Sequence, residues 1–298
     1  MLLFEKFAED YFALETRRST LLRDVRGLLR IFRARGCARV MDLGCGTGEH
    51  AAILHRAGLD VIGLDRSPNM IRVARERFPG LPFVVADMRG AQSLSELIAP
   101  HARPHRNTQV AARSASETSA IDGAYSLFGT LNYLHSDDAV SNALTAVTNI
   151  LRPGGLLVLE VWHPGAYAQL PAEIPSTERL IQSGNREIRR RRSVQLTPDR
   201  AGFVTIRHRY EIRSRADAHQ SAGSRSHGPR VSEHDSGLQI FEEEHRLRLF
   251  EPDSLRGLAA GAGLRALESF ADLAGGRPRP SSAGLLLVFE KQTPHVGR

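Results

Sequence analysis

The sequence predicts an α/β fold in which a mostly parallel β-sheet carries helices on both faces. From residue 39 onward, short apolar segments of strand length alternate with longer segments of helical spacing. Such alternation is typical of β-α-β units, whose right-handed crossovers place successive strands parallel in one sheet. At 298 residues, 41% of them hydrophobic, the chain is long enough to bury the core of one such domain.

The predicted elements follow one another along the chain. Residues 1–38 have apolar side chains at helical spacing and are predicted to be a helical segment. Strands are predicted at 39–43, 61–64, 83–86, 121–128 and 156–161, and helices at 49–57, 68–78 and 137–151. Ser67 followed by Pro68 is typical of a helix start, because serine caps free backbone amides and proline fits the first turn.

Four parts of the chain are therefore expected, the first being the helical segment 1–38. Residues 39–162 form the core of the sheet, with a surface insertion at 91–120 that is rich in Ala, Ser, Arg and His. Residues 163–250 are expected to form a small antiparallel accessory sheet with a flexible polar stretch at 215–236, because polar and apolar side chains alternate at 187–196, 203–212 and 238–249. Residues 251–298 contain a helix and two apolar strands that complete the core sheet.

The formal net charge of +7 raises the question of a nucleic-acid partner. Lys6 and Lys291 are the only lysines, so the basic charge comes from arginine and indicates a general compositional bias. The densest run, residues 189–192, has no interleaved aromatic residues and is interpreted as a solvated strand or loop. These observations do not favour a nucleic-acid partner.

Cysteine content and hydropathy limit the compartment and the cofactors. With only Cys37 and Cys45, a disulfide framework is excluded and a cytoplasmic location is expected. Charged residues appear too early at the N-terminus for a secretory leader, and no apolar run reaches the length of a membrane span. The histidine and cysteine spacing fits no zinc pattern, so no metal is expected.

Residues 40–49 carry the most informative motif. A strand ends there, glycines follow at alternate positions, and a helix begins. Glycines let the backbone turn tightly and approach a ligand closely, but a dinucleotide-binding loop would place the third glycine one residue later. An acidic residue before the loop suits a ligand with an ammonium group, such as the amino-acid end of S-adenosylmethionine (SAM). The predicted SAM contacts here are Asp42, Gly44, Cys45, Gly46 and Gly48.

The next two predicted strands also end in acidic residues. Asp65, followed by Arg66, stands at the end of the second strand, where a carboxylate can bind both ribose hydroxyls. Asp87 stands at the end of the third strand, where it can accept a hydrogen bond from an adenine amine. Met70 and Met88 are predicted to pack on the adenine ring. Three adjacent strand ends would thus contact methionine, ribose and adenine in turn.

These motifs resemble those of class I SAM-dependent methyltransferases over most of the chain. DLGCGTG resembles motif I, GLDRSPNMIRVARER resembles motif II with its helix, ADMR fits the adenine position, and LRPGGLLVLE resembles the entry to the fifth strand. The resemblance implies a Rossmann-like seven-stranded, mostly parallel sheet with an antiparallel C-terminal hairpin, formed by SFADL and AGLLLVFE. It also implies methyl transfer with SAM as cofactor, and places Leu127 and Phe128 over the bound SAM.

A narrower resemblance is to the branch that N-methylates amino sugars carried on nucleotides, and to small-amine N-methyltransferases. FAEDYF, SLFGTLNYL, LEVWHPGAY and EEEHRLRLFEPDSL carry it. It implies that Tyr11 helps to hold the amino-acid end of SAM, that Tyr133 faces the substrate amine, and that the accessory sheet covers the pocket. The sequence departs from this branch at 91–120 and 215–236, and by having tyrosine at 133 where histidine is frequent.

The reaction type depends on the acceptor atom. A neutral amine needs mainly alignment with the methyl group, whereas a hydroxyl needs a base. Tyr133, His135 and His163 are predicted as catalytic residues, and other groups near the predicted mouth are Asn132, Glu160, Trp162 and His245. The favoured interpretation is N-methylation of a small metabolite, possible acceptors including amino sugars. Small-molecule O-methylation and RNA or tRNA methylation remain alternatives, and a homodimer is left open.

Overall fold

The computed structural model describes residues 1–15, 18–89, 94–98, 101, 121–166, 173–195, 202–214, 238–279, 282 and 284–293. The predicted flexible stretch 215–236 lies outside the described residues, as does most of the predicted insertion 91–120. The strands are β1 Arg39–Leu43, β2 Asp60–Asp65, β3 Phe83–Val85, β4 Ile121–Ser126, β5 Leu151–Val161, β6 Glu173–Ser183, β7 Arg186–Gln195, β8 Phe203–Ser214, β9 Leu238–Arg248, β10 Leu264–Phe270 and β11 Leu285–Lys291.

The larger sheet has seven strands in the order β3-β2-β1-β4-β5-β11-β10. Strands β1 to β5 pair in parallel, whereas β11 pairs antiparallel with β5 and β10 pairs antiparallel with β11. The predicted mostly parallel sheet with an antiparallel C-terminal hairpin is therefore confirmed. The strand order reverses between β1 and β4, and open α/β sheets bind ligands outside the strand ends at such a reversal.

Helices cover both faces of this sheet, as the alternating pattern predicted. The helices are α1 Leu2–Glu5, α2 Tyr11–Glu15, α3 Arg18–Ala34, α4 Glu49–Arg56, α5 Pro68–Arg77, α6 Leu94–Ile98, α7 Asp137–Ile150 and α8 Pro252–Gly261. Residues of α3, α4 and α5 pack in the core on one face, and residues of α6, α7 and α8 pack on the other. Two buried apolar layers thus hold the strand ends in a fixed arrangement.

The structure differs from two predictions, one for the N-terminal segment 1–38 and one for the insertion 91–120. The described residues of 1–38 include α1, α2 and α3, and the chain turns between Lys6 and Asp10, so a single helix does not extend over this segment. The described residues 94–98 of the predicted surface insertion form α6, whose Leu94 and Ile98 are buried in the core. Two apolar side chains four residues apart are enough to bind this short helix to the sheet.

The smaller sheet is antiparallel, in the order β6-β7-β8-β9. It corresponds to the predicted accessory sheet, although β6 was not among the predicted strands. Pro175 lies within β6, and proline is tolerated there because β6 is an edge strand. Buried side chains of α1 and α2 pack with Ile188, Tyr210 and Ile212 of this sheet. The N-terminal helices therefore join the accessory sheet to the core. Among the described helices, none is long and apolar enough to cross a membrane.

Candidate active site

A cavity of about 610 Å³ lies at the carboxyl ends of β1, β2, β3 and β4, under the N-terminal helices and the accessory sheet. Its volume is in the range of small-molecule binding sites. Its wall combines two groups of residues. We call the first group, at the strand ends, the nucleoside half: Asp42, Gly44, Cys45, Gly46, Asp65, Arg66, Met70, Asp87, Met88, Leu127 and Phe128. We call the second the acceptor half: Tyr133, Trp162, Arg192, Ile206, His208, His245 and Leu247.

The glycine loop exposes bare backbone to the nucleoside half. Gly44, Gly46 and Gly48 have φ of 79°, 53° and 85°, which is the left-handed region that favours glycine. A Cβ at Gly44 would lie 2.4 Å from Cγ2 of Thr130. Gly48 does not line the cavity; a Cβ there would lie 2.6 Å from the ring of Phe83, so this glycine permits close packing behind the loop.

Asp65 joins the end of β2 to the glycine loop. Its Oδ2 accepts a hydrogen bond from the Gly46 amide at 3.0 Å, and its Oδ1 accepts one from the Ser67 amide at 2.8 Å. Burial raises the pKa of this carboxyl, although the two amides oppose the shift. Each carboxylate oxygen has a second lone pair, so Asp65 can still accept hydrogen bonds from a ribose.

Asp42 is a second buried acid beneath the loop. Burial raises its pKa to about 7, and the neighbouring His50 and Tyr125 oppose the shift. An ammonium group in the cavity would favour the ionised form. Asp42 therefore suits the amino-acid end of SAM electrostatically and gives the site a group that titrates near neutral pH.

The wall at β3 matches the predicted adenine position. Met70 is buried and Met88 is half-buried, and both line the cavity with the exposed side chain of Val85. The Asp87 carboxylate pairs with the Arg89 guanidinium, which lowers the pKa of Asp87. Asp87 therefore stays ionised and can accept a hydrogen bond from an amine.

Phe128 and Glu160 close the cavity after β4. Phe128 has a φ of 54° and is the only non-glycine residue in the described chain with positive φ. Its amide donates a hydrogen bond to Oε2 of Glu160 at 3.0 Å, and burial raises the pKa of that carboxyl. The His50 ring lies 5.3 Å from the Phe128 ring, and the buried Nε2 of His50 lies 3.7 Å from Oδ2 of Asp24.

A connected set of polar side chains links the acceptor half to the accessory sheet. Oη of Tyr133 lies 2.6 Å from Nδ1 of His245, and Nε2 of His245 lies 3.2 Å from Oε2 of Glu243. The other oxygen of Glu243 accepts hydrogen bonds from the Leu3 amide at 2.9 Å and from the Tyr210 hydroxyl at 3.2 Å. Because the carboxylate faces Nε2, the proton of neutral His245 belongs there, and Nδ1 accepts from Tyr133.

The three predicted catalytic residues lie in different places. Tyr133 lines the cavity, and burial raises its pKa well above the usual range. His135 is exposed, with Nε2 against the Arg246 carbonyl at 2.8 Å, and His163 is buried outside the cavity wall with Nε2 against the Ser282 carbonyl at 3.0 Å. The structure therefore does not support the predicted catalytic roles of His135 and His163, because neither side chain lines the cavity.

The other candidate groups near the mouth have mixed roles. Glu160, Trp162 and His245 line the cavity. Asn132 is buried, donates hydrogen bonds to the carbonyls of Trp162 and Arg248, and accepts one from the Trp162 amide. Asn132 therefore fixes the end of β5 against β9 and supports the acceptor half from behind.

The interpretation of residues 189–192 as a solvated strand or loop was wrong for Arg190. Arg190 is 6% exposed and pairs with Glu15, and Arg192 lines the cavity. His208 was also missed. Strand alternation was the available signal, because side chains at 190 and 192 must share one face of β7.

The nucleoside half fits SAM. The bare backbone at Gly44 and Gly46 leaves room for the amino-acid end. Asp65 stands where a ribose would lie, and the two methionines flank the adenine position. Tyr11 also lines the cavity, and its ring lies 3.4 Å from where a Gly46 Cβ would be. The residue-by-residue SAM contacts remain predictions.

The strand order, glycine loop and acidic strand ends together define a class I SAM-dependent methyltransferase. A family model described as "Methyltransferase domain" matches residues 13–269. The chain therefore belongs to this methyltransferase family, and its cofactor is SAM.

Two curated relatives show what the chain is similar to. It is 27% identical over 139 residues to a dTDP-3-amino-3,4,6-trideoxy-α-D-glucopyranose N,N-dimethyltransferase of Streptomyces venezuelae, covering 47% of this chain and 48% of the relative. It is 38% identical over 89 residues to a trans-aconitate 2-methyltransferase of Rhizobium leguminosarum bv. trifolii, covering 29% of this chain and 34% of the relative. The chain thus matches about half or less of the length of these curated relatives.

A solved structure gives a longer match. SAM-bound CalS10, an amino pentose methyltransferase from Micromonospora echinaspora, superposes with a TM-score of 0.59 at 22% identity. The match covers 91% of this chain and 92% of CalS10. At this identity the likeness shows the fold, which extends beyond the SAM-binding core.

Proposed function

We propose that the protein transfers the methyl group of SAM to the amine of a small metabolite, and that this metabolite is an amino sugar. The observation that carries the proposal is the enclosure of the acceptor half. The accessory sheet brings His208 and His245 to the cavity, with Tyr133 opposite them. A mainly apolar pocket with a few convergent polar groups suits a small polar acceptor. The amino-sugar activities named for the Streptomyces venezuelae relative and for CalS10 support the same acceptor class.

The residues of the acceptor half suit an amine. Bound SAM supplies an electrophilic methyl group on a sulfonium, so the chain must mainly hold a neutral amine in line with it. The Tyr133 hydroxyl donates to His245, which leaves its oxygen lone pairs free to accept an N–H from the amine. Because burial raises the pKa of Tyr133, this group stays a neutral phenol at neutral pH. Tyr133 would thereby orient the amine lone pair.

The same residues provide a route for the proton. When the nitrogen forms its bond to the methyl carbon, the carbon–sulfur bond breaks and its electron pair stays on sulfur. The resulting ammonium then loses a proton to Oη of Tyr133 while the phenol proton passes to Nδ1 of His245. Glu243, 3.2 Å from Nε2, would stabilise the imidazolium formed.

O-methylation is a second candidate function, because the chain that links Tyr133 to Glu243 through His245 could also remove a proton from an acidic oxygen. The similarity to a trans-aconitate 2-methyltransferase supports it. The two functions predict different acceptors in one assay. Transfer of labelled methyl from SAM should be measured against amino sugars, nucleotide-linked amino sugars, small amines, phenols, carboxylic acids and bulk tRNA. Label on amino sugars alone supports the proposal, and label confined to oxygen acceptors or tRNA would refute it.

A further inference from the structure

Arg192 brings an uncompensated positive charge to the acceptor half. Among the described residues no carboxylate lies within 4.0 Å of its guanidinium, and its Nε is buried without a hydrogen-bond partner. A buried polar group without a partner is unfavourable, and more so when it is charged. A partner supplied from the cavity would remove this cost.

The neighbouring arginines of β7 are compensated, which sets Arg192 apart. Arg190, on the same face, pairs with Glu15, and both Arg189 and Arg191 pair with Glu178 on the exposed face. Three successive arginines therefore have carboxylate partners and the fourth has none in the described chain. The exception is the one whose side chain reaches the cavity wall.

Trp162 holds the guanidinium in a defined place. The Cζ of Arg192 lies 5.6 Å from the centre of the indole ring at the end of β5. Stacking of this kind keeps the planar guanidinium extended, and its parallel N–H groups match the two oxygens of a carboxylate or phosphate. His208 lies opposite Arg192 on β8, and burial, with His245 and the two arginines nearby, lowers its pKa to about 2. His208 is therefore neutral and adds no competing charge.

We propose that Arg192, held by Trp162, forms an oxyanion subsite that binds a phosphate or carboxylate group of the methyl acceptor. The inference rests on the proposed function for the identity of the acceptor. In this arrangement the anionic group of the acceptor lies beside β5 and β7, away from the glycine loop. The acceptor nitrogen that receives the methyl group then lies near Tyr133. The amino-acid carboxylate of SAM is the competing occupant, and SAM affinity distinguishes the two.

The single tryptophan of the chain gives a direct readout. Because Trp162 contacts Arg192, binding of an anion at Arg192 should change its fluorescence. The full-length protein, saturated with SAM, is titrated with inorganic pyrophosphate and separately with citrate, which distinguishes phosphate from carboxylate. Arg192→Gln is compared with Arg191→Gln, whose side chain lies on the opposite face and is paired with Glu178.

We expect one of the two anions to bind saturably to the wild type and to Arg191→Gln. Its affinity for Arg192→Gln should be at least about tenfold lower. SAM affinity should be equal in all three proteins. Arg192→Lys keeps the charge but not the planar guanidinium, so its anion affinity should lie between those of the wild type and Arg192→Gln. This variant replaces Arg192→Gln in the test if Arg192→Gln does not fold. Equal anion binding by Arg192→Gln, no binding by the wild type, or weaker SAM binding by the Arg192 variants would overturn the inference. Failure to methylate any amine would refute the proposed function without changing this binding result.

Discussion

Oη of Tyr133 lies 2.6 Å from Nδ1 of His245, although 112 residues separate them in the chain. One side chain comes from the turn after β4 in the core sheet, and the other comes from β9 in the accessory sheet. The hydrogen bond therefore spans the two sheets. It also connects the acceptor half to Glu243 and, through the Leu3 amide, to the N-terminal helices.

Tyr133→Phe tests the role of this hydrogen bond. The variant keeps the ring but cannot accept a proton, so kcat should fall about 10- to 100-fold, equivalent to ~1.5–3 kcal/mol for a hydrogen bond to a group that becomes charged. SAM affinity, measured by calorimetry, should not change. His135→Gln is the matched control, because His135 lies outside the cavity wall. An equal loss of turnover and SAM affinity would contradict the assigned role.

Asp65→Ala tests the ribose contact. The change removes the acceptor for the Gly46 and Ser67 amides and for the ribose, so SAM binding should weaken by ~1–3 kcal/mol. Asp138→Ala is the control, because Asp138 is exposed on α7. If calorimetry gives the same SAM affinity for both variants, Asp65 does not bind the ribose.

Gly44→Ala tests the need for bare backbone in the loop. Gly44 and Gly58 both have positive φ, but a Cβ at Gly58 would meet nothing within 4 Å. Both variants should lose about 1–2 kcal/mol of unfolding free energy through backbone strain. The Gly44 variant should also bind SAM at least about tenfold more weakly, since its Cβ must displace Thr130. If Gly58→Ala weakens SAM binding as much as Gly44→Ala does, the loss of affinity is not caused by the Cβ in the glycine loop.

The pKa of Asp42, raised to about 7, predicts a pH dependence of stability in the SAM-free protein. Between its unfolded pKa of about 4 and pH 7, the folded protein holds a proton that the unfolded chain releases. The free energy of unfolding therefore falls with rising pH, by at most about 1.4 kcal/mol per pH unit from this group, and levels off above pH 7.

Urea denaturation of the wild type and Asp42→Asn from pH 5 to 8 checks this prediction. The stability of Asp42→Asn relative to the wild type should increase up to about pH 7 and then stay constant. The other buried acids, including Asp65 and Glu160, are present in both proteins and cancel in the difference. A difference that does not vary with pH would show that Asp42 keeps an ordinary pKa.

Much of the core could be predicted from local sequence. Strand β1 begins and ends at the predicted residues, and the other core strands and helices differ by a few residues at their ends. The missed elements have weak local signals. Strand β6 contains a proline, and the five-residue helix α6 lies in a polar stretch, so their positions depend on contacts with distant residues.

The sequence by itself determined the nucleoside half, because successive parallel strands end at one edge of a sheet and the glycines and acids stand at those ends. Only the tertiary structure decided the acceptor half. Three features follow from how the accessory sheet docks on the core: the pairing of Tyr133 with His245, the place of Arg192 in the cavity wall, and the positions of His135 and His163 outside it. That docking is set by packing between buried faces far apart in the chain, and no spacing within a motif encodes it.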